Sequence, residues 1–94
     1  MNQQYYCIVD KDNEHFYVID ETVKGALVKW LLYNGYISKD KEKIVQNMFT
    51  NIDNIENAVW AAGQLAGTYK KGIMSVYTVQ AFLYDDKKNS MEWH

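Results

Sequence analysis

At 94 residues, with 48 % hydrophobic and 23 % charged positions, the chain has the make-up of one small globular domain spanning residues 1–94, a balance that argues against disorder for most of its length. The net charge is −2 and every basic residue is a lysine, so the arginine fork that reads guanine and phosphate is absent and nucleic acid is not an expected partner. A single cysteine, Cys7, excludes an intramolecular disulfide, and no apolar run reaches membrane-spanning length, so a cytoplasmic setting is expected.

Residues 5–9 and 15–19 read as two short strands joined by the polar, turn-prone residues 10–14, the pattern of a β-hairpin. Tyr6 and Ile8 share one face of the first strand, and Tyr5, Cys7 and Val9 the other. Asp20 is the expected N-cap of a first helix whose apolar stripe is Val23, Ala26, Leu27, Trp30 and Leu31, with Gly35 at its end. Ser38 is the next candidate cap, ahead of a stripe of Ile44, Val45, Met48, Phe49 and Ile52. Asp53 and Glu56 have capping-box spacing and predict a third helix with Ile55, Ala58, Val59, Ala62, Leu65 and Ala66 along its buried side. Residues 73–83 then alternate: Ile73, Ser75, Tyr77, Val79, Ala81 and Leu83 fall on one face, and Met74, Val76, Thr78, Gln80 and Phe82 on the other, which Tyr84 continues. Residues 90–94 fit a short returning strand. The predicted class is α+β: a small antiparallel β-sheet of three or four strands, in the order ββαααββ, with helices packed on one face.

No catalytic or metal signature emerges. Asp10, Asp12, Glu14 and Glu21 fall in a calcium-loop register, but His15 stands where that loop needs glycine for its sharp turn. His15 and His94 are the only histidines and lack the companions of a zinc site. Cys7 with His15 across the hairpin has the parts of an activated nucleophile, yet a small apolar residue buried in a strand is the simpler reading. Gly63, Gly67 and Gly72 lack the spacing of a phosphate loop, and Lys70 and Lys71 fit a helix end favoured by the dipole. No cofactor and no enzymatic activity are expected.

The aromatic excess is the suggestive feature. If helices cover one face of the sheet, rings such as Tyr5, Tyr17, Tyr77 and Tyr84 decorate the other, and the hairpin carboxylates Asp10, Asp12 and Glu14 form an acidic lobe beside them. These seven residues are the expected partner surface. Residues 13–20, a hairpin strand leading into a helix, resemble very small phage inhibitors of Cas nucleases, and the lysine-over-arginine usage resembles the output of an AT-rich genome. The resemblance implies a phage-type accessory protein and carries no residue roles over. The expected function is therefore a non-enzymatic protein-binding inhibitor or regulator encoded by a phage or mobile element and directed at a host defence system, with a homodimer expected. The alternative is a small-ligand binder that holds a nucleotide or metabolite in an aromatic-lined pocket.

Overall fold

The alternation at the start of the chain is realised as a hairpin. In a computed structural model, which describes residues 3–10, 12–71, 79–85 and 90–93 and the side chains up to residue 67 together with Ala81, β1 (Gln4–Asp10) pairs antiparallel with β2 (His15–Asp20). The register sets Tyr6 opposite Val18, Cys7 opposite Tyr17 and Ile8 opposite Phe16. The turn is organised by Asp10, whose Oδ1 accepts the backbone N–H groups of Asp12 at 2.9 Å and Glu14 at 3.0 Å. Asn13 supplies the left-handed residue, with φ of 61°, a conformation asparagine tolerates better than most side chains do.

α1 (Val23–Tyr33) begins two residues later than Asp20 would have it. Its N-cap is Thr22, whose Oγ1 accepts the Gly25 N–H at 3.0 Å. The reason is that β2 runs on to Asp20, which pairs with Gln4 and turns its carboxylate to the Thr22 N–H at 3.1 Å. At the other end Gly35 adopts φ of 76°, and the N–H groups of Gly35 and Tyr36 return to the Leu32 and Leu31 carbonyls, closing the helix as the glycine predicted. Ser38 precedes a 3-10 turn (Lys39–Lys41) and makes no side-chain cap; α2 (Glu42–Thr50) follows it directly. α3 (Ile55–Lys71) is capped by Asn54 and not by Asp53: the Asn54 Oδ1 accepts the Asn57 N–H at 2.8 Å.

The fold is thus α+β, a two-stranded antiparallel sheet with three helices. α1 is the central element. Its Val23, Ala26, Leu27, Val28, Trp30 and Leu31 are buried around most of its circumference, as expected of a helix that touches the sheet on one side and α2 and α3 on others. Tyr6, Ile8 and Val18 meet it from the sheet, Val45 and Phe49 from α2, and Ala58, Val59, Ala62 and Ala66 from α3. Further extended backbone follows at β3 (Val79–Asp85) and β4 (Ser90–Trp93), and Ala81 is buried in the same core. Residues 73–78 of the expected long strand, residues 86–89 and His94 lie outside the described residues, as does Gly72.

Candidate functional site

Strand alternation sorts the hairpin into two unlike faces. Toward the helices, Tyr6, Ile8 and Val18 are buried and Phe16 is half-buried. On the opposite face Tyr5 is 44 % exposed, Tyr17 49 % and Ile19 53 %. Tyr5 and Tyr17 meet edge to face, with centroids 6.0 Å apart and planes at 67°, the arrangement preferred by ring quadrupoles. His15 lies beside Tyr17, centroids 6.5 Å apart. The face is not uniformly open, because Cys7 lies on it and is wholly buried. Burial pushes the Cys7 thiol above its ordinary value, and hydrogen bonds from the Tyr17 side chain and the Phe16 backbone pull the other way. A thiol so enclosed and held protonated is a core residue, with the wrong environment for a nucleophile.

Of the expected partner surface, the structure brings Tyr5 and Tyr17 together. Asp10 is occupied in organising its own turn, whereas Asp12 and Glu14 stand exposed at the hairpin tip. Tyr77 lies outside the described residues, and the Tyr84 side chain does too. Another sheet aromatic behaves differently: Tyr6 is buried against the helices and its hydroxyl is held above the ordinary phenol range by burial first and by the nearby Asp20 charge second. Ile19 was not singled out by the sequence reading, although the same alternation places it with Tyr17.

A second polar cluster forms where β2 enters α1. The Asp20 carboxylate lies over Gly25, so close that a Cβ built there would sit 2.2 Å from Oδ1. Its Oδ2 pairs with the Lys29 ammonium at 3.0 Å, and Lys29 also donates to the Ile19 carbonyl at 2.8 Å. Beside this cluster a groove of about 480 Å³ runs between the first turn of α1 and α2, with Thr22, Lys24, Gln46 and Asn47 on its walls. Among the described residues Phe49 is the only aromatic that lines it, and the Lys24 ammonium donates to the Ile52 carbonyl. Among the described residues no three of His, Cys, Asp and Glu converge as a metal-holding group, and no helix is long and apolar enough to cross a membrane. The helical side carries its own exposed apolar residues, Ile44, Met48 and Trp60, which the stripe pattern assigned to the core in the first two cases and passed over in the third.

Comparison with protein-family models, with curated proteins and with solved structures finds no match.

Proposed function

We propose that this chain is a non-enzymatic binding protein that docks another protein on the outer face of its sheet. The observation that carries the reading is the sorting of one hairpin: Tyr6, Ile8 and Val18 are buried on one side while Tyr5, Tyr17 and Ile19 are exposed on the other. Large apolar side chains grouped on one surface and bordered by charge are typical of protein interfaces, where tyrosine offers contact area at small entropic cost. Asp12 and Glu14 at the tip add a field that steers a basic partner into the encounter.

The finer architecture belongs to the same proposal. It is a four-stranded sheet in the chain order ββαααββ and the spatial order β2-β1-β3-β4, supported by the antiparallel registers that set Phe82 opposite Cys7 and Trp93 opposite Phe82. Paired positions share a face of a pleated sheet, so this order extends the docking face to positions 82 and 93. The biological setting we propose is a phage- or mobile-element-encoded inhibitor or regulator of a host defence protein. Size, lysine-rich composition and the resemblance of residues 13–20 support it. The small-ligand alternative draws on the groove beside α2, whose described lining, largely polar with Phe49 as its one ring, suits it less than the aromatic lining it expects.

The test is affinity capture from a bacterial lysate with the wild-type chain and with Tyr5→Ala/Tyr17→Ala. The reading expects one dominant protein retained by the wild type and lost by the double variant at equal bait folding. Equal retention by both would remove the sheet face as the docking site. A thermal shift with nucleotides or metabolites and no protein captured would favour the ligand alternative.

A further inference from the structure

The hairpin closes with the Asp10 N–H donating to the Glu14 carbonyl at 3.1 Å. In an antiparallel ladder such hydrogen-bonded pairs alternate with pairs whose peptide groups point away from the partner strand. Counted along the register from Asp10 and Glu14, the pairs Val9–His15, Cys7–Tyr17 and Tyr5–Ile19 are of the second kind. The Ile19 carbonyl therefore looks outward from β2, on the edge away from β1. Among the described residues β2 pairs with β1 alone, which leaves its other edge unpaired among them. Such an edge is a template for another strand, and here it carries exposed Tyr17 and Ile19 side chains that favour continued pairing.

Lys29 meets that hazard. It starts from α1, on the helical side, and its ammonium donates to the Ile19 carbonyl at 2.8 Å while Asp20 Oδ2 holds it at 3.0 Å. The anchor matters because an untethered lysine would spend most of its time in water. We propose that Lys29 guards the β2 edge, and that without it a second copy of this chain adds to the sheet across β2. An incoming strand needs the Ile19 carbonyl as an acceptor. It meets instead a carbonyl already engaged and an ammonium that would lose its hydration. This function is separate from docking on the sheet face, since it concerns the edge and not the rings' outer surface.

The experiment compares self-association of the wild type, Lys29→Met, Lys29→Arg and Lys29→Met/Ile19→Lys by sedimentation across a concentration series. Each variant is first checked for a cooperative melt, and Lys29→Leu, which likewise removes both donor and charge, takes the place of Lys29→Met should the latter fail to fold. Lys29→Met is expected to self-associate about tenfold more tightly than the wild type, a single outward hydrogen bond and charge being at stake. Lys29→Arg keeps a donor and a charge at the carbonyl and is expected to behave as the wild type. The added lysine at position 19 is expected to return the double variant to wild-type behaviour. A folded Lys29→Met with unchanged self-association would overturn the proposal. So would association that persists in the double variant, which would place the contact elsewhere.

Discussion

Asp20 and Gly25 are closely fitted to one another. A Cβ at position 25 would stand 2.2 Å from the Asp20 Oδ1, and that carboxylate is held in place by the Thr22 N–H and by Lys29. Helix propensity alone says that Gly25→Ala stabilises by about 1 kcal/mol. The packing says the opposite: overfilling here is expected to cost about 1–3 kcal/mol in denaturant unfolding. In an Asp20→Ala background the same change is expected to cost less, or to stabilise. Cys7 makes a different prediction. Its thiol is raised by burial, so the folded chain keeps its proton at a pH where the unfolded chain has lost it. The stability linked to that proton is intact below the unfolded thiol value and is lost as pH rises through the folded one. Tyr6 is raised in the same way and deepens the loss at higher pH. Denaturant midpoints are expected to fall on the alkaline side, and Cys7→Ala to flatten the first part of that fall; a native thiol that reacts with a colorimetric disulfide reagent as fast as a free one would contradict its burial. At this scale the sequence was readable for identity and poorly readable for role. Asp20 and Asp53 were the natural caps by residue type, yet Thr22 and Asn54 hold those posts, because strand pairing carries β2 through Asp20 and only geometry decides which neighbouring oxygen reaches the first free N–H groups.

Among the elements, α2 shows most plainly where periodicity stops being informative. Its apolar residues Ile44, Val45, Met48 and Phe49 obey helical spacing, yet only Val45 and Phe49 are buried, with Ile44 69 % exposed. A nine-residue helix that leans chiefly on α1 presents a narrow strip to the core, so the wider stripe overreaches it. Phe49→Ala is accordingly expected to cost about 3–5 kcal/mol, and Ile44→Ala to stay within about 0.5 kcal/mol of the wild type, both read from urea unfolding. Comparable losses at the two positions would mean that Ile44 is covered by something that contributes to stability. The other elements were easier to read. In α3 the small residues Ala58, Ala62 and Ala66 share a buried side at four-residue spacing, and in the hairpin the alternation separated Tyr6 and Ile8 from Tyr5 correctly. That alternation could not show that Cys7 is buried although it lies on the outer face, because the burial comes from neighbours that period-two reasoning does not see.

For the molecule as a whole, the consequential asymmetry lies between the two sides of the sheet. The helical side is filled by α1, α2 and α3, and the outer side carries exposed Tyr5, Tyr17 and Ile19 with acidic residues at the hairpin tip. Exposed Trp60 on α3 offers a rival surface of similar chemistry, and the two have to be distinguished. Hydroxyl-radical footprinting of the chain, free and bound to its captured partner, does so directly. Docking on the sheet predicts that oxidation of Tyr5 and Tyr17 falls on binding while that of Trp60 is unchanged; protection of Trp60 with Tyr5 and Tyr17 oxidised as in the free chain would contradict it.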